Sequence, residues 1–149
     1  MAGQVFTATN CSSNASSYIW EDGTGSTATT TNAFVSYPNT GTYTLKLTAQ
    51  GNGKVNISSQ TITVVPAMGT VTFWESGTPL HNVTTVTINS TTAQITSAYT
   101  VGTPACNQSG CASFYLPSGT YSFTATDGTS NWNGSVTIGI GTCLTQELL

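Results

Sequence analysis

The chain has no arginine. Lys46 and Lys54 are its only basic residues, His81 is its only histidine, and charged residues make up 5% of its 149 positions, against roughly a quarter in an average globular protein. Two lysines cannot neutralise a phosphate backbone, so nucleic acid is not an expected partner. A formal net charge of -3 selects neither an acidic nor a basic partner. No run of about 18 apolar residues occurs, so this segment is not expected to insert into a membrane. The residues after Met1 lack the charged and apolar regions of a secretory leader; for a secreted chain, Met1 is then expected to be an artificial start. No stretch shows a helical period.

Thr, Ser, Asn and Gly fill the places that charge vacates, and the 38% of hydrophobic residues fall in alternating runs, which argues against disorder. One phrase occurs twice. In Ser36–Thr48, Pro38, Asn39 and Gly41 form a turn, and Tyr43, Leu45 and Leu47 alternate with polar residues. In Leu116–Thr126, Pro117 and Gly119 form the turn, and Tyr121, Phe123 and Ala125 alternate in the same way. Turn residues followed by a period of two specify a strand with one wet face. The repetition predicts an all-β chain of two antiparallel β-sandwich domains in tandem, over residues 4–65 and 70–149, with residues 66–69 as a short linker.

In the first half, strands are expected at Val5–Thr9, Tyr18–Trp20, around Phe34 and Val35, at Tyr43–Thr48 and at Val55–Val65, with turns at Asp22–Gly25 and Gly51–Gly53. Tyr18-x-Trp20-x-Asp22-Gly23, Val35-x-Tyr37-x-x-x-Gly41-Thr42-Tyr43-x-Leu45-x-Leu47 and Thr61-Ile62-Thr63-Val64 resemble the polycystic-kidney-disease (PKD) repeat, an immunoglobulin-like extracellular module. The family's longer Trp-Asp-Phe-Gly-Asp-Gly loop is shortened here to Trp20-Glu21-Asp22-Gly23. The resemblance implies that Trp20 is the buried aromatic of the sandwich with Tyr43 near it.

The second half is expected to place strands at Thr70–Trp74, Val83–Ile88, Thr92–Thr96, Ala112–Leu116, Tyr121–Thr126, Asn133–Ile140 and Cys143–Leu148. Val86-x-Ile88 and Ala112-x-Phe114-x-Leu116-Pro117-x-Gly119-x-Tyr121-x-Phe123 resemble PEGA and carboxypeptidase-regulatory-like sandwiches. The wider pattern, from Gly69–Trp74 through Trp132 to Cys143, is similar to small surface lipoproteins of Bacteroidetes-type bacteria. These families imply scaffolding and surface attachment and bring no catalytic residues.

Residues able to carry chemistry are few. His81 lies between Pro79 and Asn82 without a Gly-x-Ser-x-Gly elbow, which reads as a solvated loop histidine. Glu21 and Asp22 are adjacent and would point to opposite faces of a strand. Glu75, Asp127 and Glu147 stand apart, so no carboxylate pair spans a cleft. Calcium at Asp22 or Asp127 is the one cofactor to consider, although a good site gathers several carboxylates. Trp74 and Trp132 are expected to plug the second core, since a small domain needs its aromatics inside; the alternative is that they form, with Tyr99, an exposed aromatic platform for sugar. Seven Asn-x-Ser/Thr sequons, at Asn10, Asn14, Asn56, Asn82, Asn89, Asn107 and Asn133, are acceptors only in a glycosylating host.

Of the four cysteines, Cys11 stands alone in the first half. Cys106 and Cys111 flank Asn-Gln-Ser-Gly, a sequence able to turn, and this pair is the first expectation for a disulfide. Cys143 is the rival partner. The spacing lacks a second ligand pair for zinc. Taken together, these features predict a non-catalytic, secreted or cell-surface module of an adhesin-type protein, acting as spacer and binding other surface proteins. The alternative is a carbohydrate-binding accessory module of a secreted enzyme, whose partners are glycans. Buried Trp20, Trp74 and Trp132 would favour the first, and coplanar exposed aromatics the second.

Overall fold

A computed structural model describes residues 1–77 and 82–149. His81 and Pro79 lie outside the described residues. The chain divides into two compact units, Met1–Pro66 and Ala67–Leu149. All regular structure among the described residues is β.

In the first unit, β1 (Val5–Ala8), β2 (Ser17–Glu21), β3 (Thr27–Ala28), β4 (Ala33–Ser36), β5 (Gly41–Gly51) and β6 (Lys54–Val64) follow in order. β1 and β4 form a two-stranded sheet, and β3-β2-β5-β6 form a four-stranded one, all pairs antiparallel. Asn52 and Gly53 close the β5–β6 hairpin with φ of 50° and 72°, the left-handed pair of a type I′ turn, which glycine and asparagine adopt at least cost. Trp20, Leu45 and Leu47 from one sheet meet Ala8, Ala33 and Val35 from the other. Tyr37, just before Pro38, is 2% exposed. Its hydroxyl donates to the Asp22 carbonyl at 3.0 Å, and its ring stacks on Tyr43 at 4.0 Å. The aromatic partner of Tyr43 is thus Tyr37, and Tyr43 itself is half-buried against the core.

In the second unit, β7 (Met68–Trp74), β8 (Thr84–Ile88), β9 (Thr91–Ile95), β10 (Ala112–Pro117), β11 (Gly119–Thr126), β12 (Asn131–Ile138) and β13 (Cys143–Glu147) build sheets ordered β10-β7-β13 and β12-β11-β8-β9. Val71 and Phe73 face Val86, Ile88, Phe123 and Val136 in a sandwich-like core. Phe73 contacts both Phe114 and Phe123, with ring centroids 6.0 and 4.7 Å away.

Two expectations need correction. Met68 and Gly69 belong to β7 rather than to a linker. The sheets are not purely antiparallel, because β13 runs parallel to β7. The chain leaves β12 in one sheet, turns over Gly139–Thr142 and enters the other. The turn is pinned to β7 by Thr70 N–H to the Thr142 carbonyl (2.9 Å) and Gly141 N–H to the Met68 carbonyl (2.7 Å). Gly69 has to be glycine there, since a Cβ would run into the Gly139 carbonyl and the Ile138 side chain.

The repeated phrase has a repeated structure. Tyr43 Oη donates to the Asn39 carbonyl at 3.0 Å, and Tyr121 Oη to the Pro117 carbonyl at 2.8 Å, each four residues upstream. In both cases the ring lies over the motif glycine, Gly41 or Gly119. A tyrosine tied back to the backbone at the start of a strand is a tyrosine corner. It locks the turn to the strand that the turn feeds.

Candidate functional site

A groove in the first unit follows from a mismatch of strand lengths. β5 and β6 run for 11 residues each, while β1 and β4 run for four. The short sheet covers β2 and part of β5 and leaves the inner face of β6 from Asn56 to Gln60 uncovered, while Ile62 and Val64 stay packed on the core. Phe6 and Ala8 of β1 form one wall, Trp20, Leu45 and Leu47 the apolar floor, and Asn56, Ser58 and Gln60 the polar far wall, around about 530 Å³. Past Cys11 and Ser12 the groove continues into a second hollow of about 660 Å³ between the residue 12–15 loop and the hairpin tip, where Lys54 is the only charged lining residue.

The polar wall arises from a change of phase within β6. Its inward positions read Asn56, Ser58, Gln60, Ile62 and Val64, while Val55 and Ile57 point outward, given the register Leu47↔Ser58 and Thr48↔Ile57. Of these inward residues only Ile62 and Val64 pack on the core, and Val55 and Ile57 are 58% and 57% exposed. The Trp20 ring is 6% exposed, and its indole N–H donates to the Thr30 carbonyl at 3.1 Å. It therefore supports the groove floor without presenting a stacking face.

The remaining candidates are not brought together. Asp22 Oδ1 accepts from Thr24 N–H, Thr24 Oγ1 and Ser26 N–H at 2.8, 2.8 and 3.1 Å. Partial burial works against its ionisation, yet these bonds outweigh it and hold the carboxyl below the usual range. Asp127, in the other unit, accepts from Thr129 and Ser130 N–H and is lowered by those bonds. Each carboxylate is thus spent on its own turn. No group of three His, Cys, Asp or Glu gathers among the described residues. Glu21 pairs with Lys46 at 2.6 Å on the outer face of the sheet.

Trp74 is 8% exposed but sits outside the core cluster. With Val71 and Phe73 facing inward, Thr70, Thr72 and Trp74 face outward, and the chain between β9 and β10 folds back over them. Asn107 N–H donates to Thr72 Oγ1 at 3.1 Å, Tyr99 packs edge-on to Trp74 at 6.3 Å, and Thr72 is 0% exposed. Trp132 is half-buried against the core, its indole N–H donating to the Leu149 carbonyl at 2.9 Å. Trp74, Tyr99 and Trp132 form no common plane. The exposed aromatics are instead Phe34 and Tyr115, one in each unit.

The same covering loop decides the disulfide. Cys106 bonds to Cys143, with Cα atoms 6.0 Å apart. This corrects the expected Cys106–Cys111 pair and leaves Cys11 and Cys111 as free thiols. Cys143 pairs in register with Thr70 on the outer face of β7, and the loop crosses that face at Thr72, so Cys106 arrives beside Cys143. Two successive turns, Gln108 N–H to Ala105 and Cys111 N–H to Gln108, carry Cys111 on to the start of β10. Burial there pushes its thiol pKa up.

No family model matches the chain, and no curated protein matches it.

Proposed function

We propose that the chain is a non-catalytic extracellular module of a bacterial surface or adhesin-type protein, acting as a spacer and protein-interaction unit built from immunoglobulin-like sandwiches. The observation that carries this reading is the covering of the tryptophans. Trp20 and Trp74 are 6% and 8% exposed, and Trp132 is half-buried against the core with its indole N–H held by the Leu149 carbonyl, so the three offer no shared open face for a sugar ring. The Cys106–Cys143 bond accords with an oxidising compartment, and the hydroxyl- and amide-rich surface with an exterior one. The groove supplies an interaction site between the apolar floor and the Asn56, Ser58 and Gln60 wall.

That same polar wall favours one second reading, a carbohydrate-binding module that holds a polymer by hydrogen bonds. A panel of defined oligosaccharides and insoluble polysaccharides separates the two. The spacer reading expects no saturable retention. Saturable binding lost in Asn56→Ala and Gln60→Ala would overturn it in favour of the second.

A further inference from the structure

We propose that β6 is a dimerisation strand: two copies of this chain join their β6 edges antiparallel about a two-fold axis at Ser59, making one continuous eight-stranded sheet. The inference stands on the strand itself and does not depend on the functional reading above.

An unpaired strand edge is a template for another chain, and proteins ordinarily blunt it with shortness, proline, bulges or charge. Every other edge in the described structure carries such a feature or is short. β3 has two residues, β1 and β4 four, and β9 and β13 five. β10 ends in Pro117, and β12, at eight residues, is shorter than β6 and carries Gly134 at mid-strand, which weakens it. β6 has 11 residues, no proline or glycine, and an unbroken one-for-one register with β5. Its only charge, Lys54, is at one end. Lys54 to Thr61 are all exposed.

The register states which backbone groups are open. Gly51 and Lys54 flank the two-residue Asn52-Gly53 turn, so they exchange hydrogen bonds, and alternate pairs do so from there onward. Lys54, Asn56, Ser58, Gln60, Ile62 and Val64 therefore bond to β5. Val55, Ile57, Ser59, Thr61 and Thr63 direct their N–H and C=O groups outward, the Thr61 carbonyl accepting from the Gln60 side-chain amide at 3.2 Å, a bond that a second strand would share or displace. These five are symmetric about Ser59. In an antiparallel self-pair, Ser59 meets Ser59, Ile57 meets Thr61 and Val55 meets Thr63 of the second copy, and every meeting is a hydrogen-bonded pair. The facing side chains on the outer surface are β-branched or hydroxyl-bearing, which suits cross-strand packing.

Charge selects a second copy as the occupant. The row through the axis is Glu21–Lys46–Ser59, in which Glu21 already neutralises Lys46. A charged foreign strand would find no counter-charge along Val55–Val64. A copy of β6 brings none there, and it sets each Lys54 opposite a Val64. The two Lys54 residues then lie roughly 33 Å apart at the strand rise of about 3.3 Å per residue, beyond the screening length at physiological salt.

Sedimentation of the intact chain from micromolar to millimolar concentration tests this. A reversible monomer–dimer equilibrium is expected. Ser59→Pro removes only an outward N–H, so the circular dichroism and melting temperature should stay at wild-type values while the dimer weakens about tenfold or more. Ser59→Lys places two ammonium groups on the axis and should do the same, which keeps the test decisive if the proline variant misfolds. In a Cys11→Ser background, Ser59→Cys should form a disulfide-linked dimer, since hydrogen-bonded antiparallel pairs hold Cα atoms about 5.5 Å apart. Val55→Cys should not, because it faces Thr63. A wild-type chain monomeric at millimolar concentration, a dimer untouched by both Ser59→Pro and Ser59→Lys, or cross-linking at Val55 in preference to Ser59 would each overturn the proposal.

Discussion

Replacing Cys106 and Cys143 together by serine should destabilise the second unit by about 3–4 kcal/mol. The magnitude comes from the loop that the bond closes. The two cysteines are 37 positions apart, and constraining such a loop in the unfolded chain is worth about 4 kcal/mol by chain entropy; a six-residue loop of the Cys106–Cys111 kind would be worth only about 2 kcal/mol. For a unit of the size of Ala67–Leu149, that corresponds to a fall in melting temperature of roughly 15–30 °C, at about 4–8 °C per kcal/mol. The bond also secures the loop that covers Thr72 and Trp74, so Trp74 should gain exposure to quenchers in the variant. Urea unfolding followed by β11 and β12 amide signals isolates this unit from the first. Cys111→Ser is the control, expected to cost no more than about 1 kcal/mol, because that thiol is half-buried and unbonded. The reasoning fails if Cys111→Ser costs as much as the double variant, or if non-reducing peptide mapping finds Cys106 joined to Cys111.

Trp20→Ala should cost roughly 3–5 kcal/mol and unfold the first unit while leaving β7–β13 amide protection intact, as read by hydrogen exchange. Tyr43→Phe and Tyr121→Phe each remove one tyrosine-corner hydrogen bond and should each cost about 0.5–1.5 kcal/mol, one in each unit, in equilibrium unfolding; a null effect in either would mean that the shared sequence phrase is not a shared device. Stability should also depend on pH at both ends. Burial, then the negative charges of Asp22 and Tyr43, raise the Tyr37 pKa, so its contribution is complete below the tyrosine range near pH 10 and is lost as pH rises through the higher folded value. For Asp22 the folded pKa is lowered, so its contribution is present above about pH 4 and is lost as pH falls through the folded value. Tyr37→Phe should flatten the alkaline limb alone, whereas Asp22→Asn should reduce the acid limb and also shrink the alkaline one, because the Asp22 charge helps to raise the Tyr37 pKa.

Much of the fold was legible because the strands announce themselves by period and the turns by residue type. β5 and β11 fall where Tyr43-x-Leu45-x-Leu47 and Tyr121-x-Phe123-x-Ala125 place them, and Gly51-Asn52-Gly53 marks a hairpin. Alternation says which residues share a face and nothing about the neighbour's direction, so the parallel β7–β13 pair was not visible. Nor does alternation say which face is wet. The apolar residues of β6 change phase at Ser58-Ser59, so Val55 and Ile57 point outward while Ile62 and Val64 point inward. Tyr37 was hidden by its place beside Pro38, where a turn was the obvious reading. Trp74 was expected in the core and is instead buried under a loop, on the opposite face from Phe73. The disulfide was undecidable from spacing because its geometry depends on where that loop crosses the sheet.

The parallel pairing of β7 and β13 has a mechanical consequence. These are the first and last strands of the second unit, and they lie side by side over five register pairs, from Cys143↔Thr70 to Glu147↔Trp74. Tension applied between Ala67 and Leu149 pulls the two strands in opposite directions along their shared axis. The hydrogen bonds between them are then loaded in shear, and they must yield together. Terminal strands in a hairpin would instead peel apart one bond at a time. The Cys106–Cys143 bond joins the loop above β7 to the first residue of β13, so the clamp is also held covalently at the end nearest Ala67. A unit with this arrangement bears load along the line joining its ends.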